Sequence, residues 1–244
     1  MRGLGKIKGR IRRFLRRHFD YPPCWRNLLC LNDVAVRTIL DIGAFDGDTA
    51  KLFRRRFPQA VIHCFEPHPI AGASLRRWAA RYPEQVHCYE IGLGAQDGLL
   101  VLQDFEGSPR FNSFQTSLPD WHSHLAMPQP AKGLELPIHR LDDWARDHEL
   151  PGPLLVKIDT EGFEEPVLRG GAEVLRQAAA CIIEIQVDRR FANQLEFREV
   201  ITVMEGFGLH YAGNLAHGIM AGRLHHFDAL FLAPDRCHPS TASS

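Results

Sequence analysis

Four acids crowd the stretch from Asp159 to Glu165, at Asp159, Glu161, Glu164 and Glu165, and a fifth, Glu184, sits inside the apolar run ACIIEIQ. A carboxylate in such a run is costly unless it is paired or functional. An acceptor alcohol is a poor nucleophile until a base takes its proton or a metal lowers its pKa. Asp159 and Glu161 are candidates for that work, and Glu184 is the third candidate catalytic residue. Hard oxygen ligands of this kind also suit Mg²⁺, with Asp159 joined by Glu161 or Glu184. No spacing requires a metal, and none is expected. Glu164 and Glu165 have a plainer use as helix N-terminal charge. Lys157, which interrupts an apolar strand, fits a buried ion pair with one of these acids as well as it fits a substrate contact.

A second constellation lies upstream. In DIGAFDGD, Asp41 to Asp48, the residues Gly43 and Gly47 allow a tight turn and close approach of a ligand to bare backbone. Nineteen residues after Gly47 stands Glu66 in CFEP, where a carboxylate can accept both ribose hydroxyls of a nucleoside. Asp41, Asp46 and Asp48 in the turn would repel the pyrophosphate of a dinucleotide. They suit an α-ammonium group and a sulfonium, and S-adenosylmethionine offers both.

The elements that must position these residues alternate. TILDIGAF (38–45), AVIHCFE (60–66), VHCYEIG (86–92), LLVLQDF (99–105), ELPIHRL (135–141), PLLVKID (153–159), ACIIEIQ, GLHYAG and HFDALFLA have the short apolar or alternating character of strands. Helical spacing joins Leu52, Phe53 and Phe57, then Ala71, Leu75, Trp78, Ala79 and Tyr82. DDWARDHEL, EEPVLRGGAEVLRQA broken at Gly170-Gly171, and FREVITVME complete the helices. Strand alternating with helix predicts a mostly parallel sheet with helices on both faces. The last two strands lack a helix between them, so they should form a hairpin that puts one antiparallel strand at the sheet edge. Residues 106–133 lose periodicity and read as a substrate lid, with Asn112, Ser113, Trp121, His122 and His124 able to grip a polyol.

The 244 residues are 45% hydrophobic and 24% charged, which excludes a disordered chain, and no repeat suggests a solenoid. No apolar run approaches the length of a membrane-spanning helix, and the basic start lacks the apolar region of a signal peptide. Six Cys without a C-x-x-C pair read as buried thiols. The zero net charge conceals an arm, residues 1–21, in which eight cations face the single acid Asp20. Its apolar residues between Leu4 and His18 recur at helical steps. A solvated arm or a helix packed on its own domain is the first expectation. Peripheral contact of residues 4–18 with an anionic membrane is the second, and nucleic acid is not expected. Residues 22–235 would form the catalytic domain and 236–244 a mobile tail. The expected location is the cytoplasm, with the arm able to reach the inner membrane surface.

DIGAFDG, CFEP, LDDW and VKIDTEGFEEPVLRGGAEVL together resemble the FkbM family of S-adenosylmethionine-dependent methyltransferases, over roughly residues 38–234. The resemblance implies a class I methyltransferase (Rossmann-like) fold, an α/β seven-stranded, mostly parallel sheet with an antiparallel last strand. It also implies methylation of hydroxyl oxygens, often on sugars or polyketides. The candidate cofactor-binding residues are Asp41, Gly43, Ala44, Gly47, Glu66, Pro67 and Gly92. Phe45 and His68 depart from the family, which usually has Asn at both places. The acceptor would be a small molecule or glycan: a hydroxyl of a sugar, glycolipid or secondary metabolite. The alternatives are N-methylation of an amino sugar or peptide, and a non-catalytic cofactor-binding module that docks to membrane or RNA through the arm.

Overall fold

The computed structural model describes residues 28–104, 112–116, 118, 132–187, 190, 191, 193–220 and 222–237. The arm, most of the expected lid and residues 238–244 therefore lie outside the described residues.

The chain runs β1 (Thr38–Ile42), α1 (Asp48–Arg56), β2 (Val61–Phe65), α2 (Gly72–Ala79), β3 (Val86–Tyr89), β4 (Gly92–Leu93), β5 (Gly98–Asp104) and β6 (Lys132–His139). It continues through α3 (Leu141–Arg146), β7 (Leu154–Ile158), α4 (Glu164–Gly170), α5 (Ala172–Leu175), β8 (Ala178–Gln186), α6 (Phe197–Gly206), β9 (His210–Met220) and β10 (Arg223–Leu232). Seven strands make the main sheet in the order β3-β2-β1-β7-β8-β10-β9. The pairs from β3 to β8 are parallel, and β10 runs antiparallel to both β8 and β9.

The mostly parallel sheet and the antiparallel last strand are as expected, but the hairpin sits differently. The antiparallel strand is β10, inserted between β8 and β9, and the edge strand β9 runs with the parallel set. Insertion lets the apolar run FDALFL of β10 be buried against β8, whereas β9, with many exposed residues, takes the solvent edge. Two of the nine sequence-predicted strands, β5 and β6, leave the main sheet and join β4 in a separate three-stranded one.

The central strands β1, β7 and β8 are buried along their whole length, because helices cover both faces. Alternate side chains point to opposite faces. Leu40, Ile42, Val156, Ile158 and Ile183 pack with Val167, Val200 and Met204 of α4 and α6. Ile39, Ile62, Leu155 and Ile182 pack with Phe53 of α1 and Leu75 of α2. At Gly170 a Cβ would come within 1.9 Å of the Gly94 carbonyl oxygen, so the Gly-Gly break is where α4 passes against the chain after β4.

Arg236 and Cys237, expected within the mobile tail, are instead bonded to the domain. Arg236 Nη1 donates to the carbonyls of Ala178 and Phe207, and buried Cys237 accepts at its carbonyl from Ala35 N–H. Of the five cysteines among the described residues, Cys64, Cys181 and Cys237 are buried, Cys88 is half-buried and Cys30 exposed. No helix among the described residues is long and apolar enough to cross a membrane.

Candidate active site

Strand ends decide where a ligand can sit. A cavity of about 370 Å³ opens at the carboxyl ends of β1, β2, β7 and β8, the crevice position of open α/β sheets. Gly43, Glu66, Pro67, Gly92, Asp159, Glu161 and Glu184 line it. Asp41, Ala44 and Gly47 do not, although they belong to the same turn.

At one end the turn after β1 is tied to the end of β2. The N–H groups of Gly43 and Ala44 donate to the Phe65 carbonyl at 3.0 and 3.1 Å. Glu66 is buried, and its two oxygens accept from Phe45 N–H and His68 N–H, each at 2.9 Å. Burial pushes this carboxyl up to about 7, while the two backbone donors and Lys157 pull the other way. Phe45 holds a left-handed φ of +48°, a conformation that Asn tolerates far better than a bulky residue does. Phe is nonetheless held there while its N–H meets Glu66. His68 Nδ1 accepts from Ala71 N–H at 3.1 Å at the start of α2.

Gly43 has φ +75°, and a Cβ there would lie 1.8 Å from the Asp159 carbonyl oxygen. Its glycine is thus required by the backbone of the neighbouring β7 end, before any ligand is considered. Asp41 is fully buried and turned from the cavity toward Lys157, 3.6 Å away. Burial raises its pKa against the pull of that ammonium. Asp46 Oδ1 accepts from Asp48 N–H, and exposed Asp48 pairs with Lys51. The turn carboxylates therefore spend their charge within the protein, and the cavity's acidity comes from the other end.

That end collects Asp159, Glu161, Glu184 and Asp228. Lys157 is an ion-pair residue: its Nζ lies 3.1 Å from Asp159 and donates to the Gly43 carbonyl. Burial alone would lower its pKa, but Asp159 and Asp41 beside it raise it. Glu161, in a left-handed conformation at φ +52°, meets buried Arg190 at 2.5 Å. Burial pushes the Glu161 carboxyl up to about 8, against Arg190 and with Asp159 and Glu164. Glu184 receives a hydrogen bond from Gln186 Nε2 at 2.6 Å and stands 3.6 Å from His226 Nε2. Burial, then the acids Asp159, Glu161, Glu164 and Asp228, raises Glu184 well above the ordinary range. One oxygen each from Asp159, Glu161 and Glu184 lies within 4.8 Å of the others.

Glu164 acts locally, since its Oε1 accepts from Thr160 N–H, Thr160 Oγ1 and Gly162 N–H and so closes the turn that presents Asp159 and Glu161. Glu165 pairs with Arg169 on the same helix. Of the lid candidates, Asn112 lines the cavity and Ser113 bridges to Gln103, while Trp121, His122 and His124 lie outside the described residues. Arg190, His226, Asp228, Phe114 and Phe163 were not singled out by sequence. Asp228 and His226 could have been found, since a charge and an imidazole in the apolar run HFDALFLA carry the same signal as Glu184 in ACIIEIQ.

The family model for the Methyltransferase FkbM domain matches residues 41–211. The chain is 26% identical over 189 residues to the 2-O-methyltransferase NoeI of Sinorhizobium fredii (strain NBRC 101917 / NGR234), a match covering 75% of this chain and 77% of that protein. It is 27% identical over 142 residues to Methyltransferase 1 of Beauveria bassiana (strain ARSEF 2860), covering 54% and 57%. Among solved structures, the methyltransferase FkbM from Methylobacillus flagellatus KT superposes with a TM-score of 0.52 at 13% identity. That match covers 81% of this chain and 44% of the other, so the chain spans less than half of that structure's length and the likeness is one of fold.

Proposed function

The chain belongs to the FkbM family of S-adenosylmethionine-dependent methyltransferases, and from that premise we propose that it methylates a hydroxyl oxygen of a sugar, glycolipid or secondary metabolite. The observation that carries this proposal is the division of one cavity into a backbone-held carboxylate, Glu66, and an acid cluster around Asp159. A 2-O-methyltransferase among the relatives supports oxygen as the acceptor atom.

S-adenosylmethionine supplies an electrophilic methyl on a positively charged sulfur. In this proposal Glu66 accepts the ribose hydroxyls, with Pro67 and Gly92 beside the nucleoside. Gly43 brings backbone close to the methionyl part, and Asp41, Ala44 and Gly47 shape the turn from behind. Asp159, which lines the same cavity, would offset the charge of the sulfonium. Glu161, with a carboxyl near 8, exchanges a proton close to neutral pH, which suits the base that takes the acceptor's hydroxyl proton. Glu184, its carboxyl raised well above the ordinary range by burial and the neighbouring acids, is matched to meet the acceptor's hydroxyl by a hydrogen bond. With S-adenosylmethionine bound, Glu161 would take the acceptor's hydroxyl proton as the methyl passes from sulfur to oxygen, and the sulfur would leave as the neutral thioether of S-adenosylhomocysteine.

Lys157 and Arg190 already offset two of the three clustered acids, so the proposal needs no divalent cation. The test is transfer of a ¹³C-labelled methyl to a panel of glycosides and amino sugars, read by NMR. Label on an ether oxygen is expected. Label on nitrogen would favour the alternative acceptor, and binding without transfer to any member would favour a non-catalytic module.

A further inference from the structure

The edge strand β3 pairs within the main sheet only with β2, and the parallel register sets Cys64 of β2 directly beside Cys88 of β3. Register partners carry their side chains on the same face of a sheet, and neighbouring strands lie about 4.8 Å apart. That spacing falls inside the Cα separation of about 4.4–6.8 Å that a disulfide spans. An edge strand of four residues, held from one side, can also give way when its side chain is drawn inward. Among the described residues no other two cysteines are register partners.

The two thiols are unlike. Cys64 is fully buried with Leu75 and Ala79 of α2 and Val86 of β3, whereas Cys88 packs against that cluster and is half-buried. The Cys64 S–H donates to the Cys88 sulfur, and this bond, together with burial, raises the Cys64 thiol. The same bond, helped by the Arg76 guanidinium, holds Cys88 below its ordinary value against burial and Asp41. Arg76 is itself placed by Glu90 at 2.5 Å and by the Pro69 carbonyl at 2.8 Å. A reachable sulfur whose thiolate is favoured, with a second thiol beside it, is the arrangement of an oxidisable pair.

We propose that Cys64 and Cys88 are a modification site, which a peroxide oxidises to a reversible disulfide, and that this bond weakens cofactor binding at the Glu66 end of the cavity. The Cys88 sulfur attacks one peroxide oxygen, the O–O bond breaks, and water leaves with the Cys88 proton to give a sulfenic acid. The Cys64 sulfur then attacks the Cys88 sulfur, the S–O bond breaks, and a second water leaves with the Cys64 proton. Two thiols lose two electrons and one peroxide becomes two waters. The link to the cofactor is short. Glu66 follows Cys64 by two residues, and its N–H donates to the carbonyl of Tyr89, the residue after Cys88, at 3.0 Å. Drawing β3 toward β2 just before that bond moves the carboxylate that receives the ribose, so this half rests on the role of Glu66 proposed above.

The test treats the full, reduced chain with hydrogen peroxide, blocks the remaining thiols with iodoacetamide and maps tryptic peptides by mass. The peptides carrying Cys64 and Cys88 are expected as one linked species that dithiothreitol separates. In Cys64→Ala, Cys88 should instead run on to the sulfinic acid, and in Cys88→Ser the buried Cys64 should stay reduced; if Cys64→Ala does not fold, wild type and Cys88→Ser carry the comparison. In calorimetry, oxidation should weaken S-adenosylmethionine binding roughly fivefold or more, dithiothreitol should restore it, and peroxide should leave Cys88→Ser unchanged. Both thiols still open to iodoacetamide after peroxide, a bond from either to another cysteine, or sulfinic Cys88 in the wild type with no linked species would overturn the modification site. An unaltered Kd in the linked protein would overturn its effect on the cofactor. A linked species together with normal binding by Glu66→Ala leaves the modification site standing and removes the ribose role of Glu66; weakened binding by Glu66→Ala with no linked species does the reverse.

Discussion

The two ends of the principal cavity bury the same functional group in different ways. Glu66 is fixed by two backbone N–H groups of its own neighbourhood, Phe45 and His68. Asp159 and Glu161 lean on cations, Lys157 from the same strand and Arg190 from beyond β8. A backbone-held carboxylate keeps charge available for a ligand. An ion-paired one has much of its charge compensated, so removing its partner leaves a buried charge without compensation.

The largest effect should come from breaking the cationic support. In urea unfolding at pH 9, above the Glu161 carboxyl's value of about 8, Arg190→Leu is expected to cost about 3–5 kcal/mol of stability, and the double variant Arg190→Leu/Glu161→Leu should recover most of it. A single variant within about 1 kcal/mol of wild type would show that the two ends do not differ in this way. Next, Glu66→Ala should leave the fold intact and weaken S-adenosylmethionine binding by about 1.5–3 kcal/mol, because the ribose loses a charged acceptor.

The same end should respond to pH. With the Glu66 carboxyl near 7 in the free protein, the ionised acceptor becomes the main form as pH rises. Affinity for S-adenosylmethionine should therefore climb roughly tenfold from pH 6 to 8 and stay flat in Glu66→Gln. Stability moves oppositely. A carboxyl raised above its unfolded value stabilises fully below about 4.5 and loses that contribution as pH passes 7. Glu66→Gln should melt above wild type at pH 8, with the gap closing toward pH 4.5. The smallest effect concerns the acid end: exhaustive chelation followed by Mg²⁺ addition should change turnover by less than about twofold, since Lys157 and Arg190 supply the compensating charge. Strict Mg²⁺ dependence would mean that the clustered oxygens need more than these two cations.

What was legible follows the same division. Glu66 could be found because a strand and a turn of fixed length bring it back to Gly43, and Glu184 because a charge inside ACIIEIQ has to be explained. The fully buried runs of β1, β7 and β8 announced a parallel sheet before any pairing was known. Arg190 could not be found, since its tie to Glu161 spans 29 residues and depends on how the segment after β8 folds back. The turn carboxylates misled for a related reason. Sequence placed Asp41 near the ligand, but strand alternation turns it toward Lys157 in the core. The insertion of β10 between β8 and β9 is likewise a choice about which edge to bury, visible only when both hairpin strands compete for β8.

The most direct measurement is calorimetry of the wild type and Glu66→Ala with S-adenosylmethionine and, separately, with NAD. S-adenosylmethionine is expected to bind and NAD to give no response, with Glu66→Ala weakening the former by roughly 10- to 150-fold. Tight NAD binding with no response to S-adenosylmethionine, or an unchanged Kd in Glu66→Ala, would contradict a ribose-binding role for Glu66 in a methyl-transfer site.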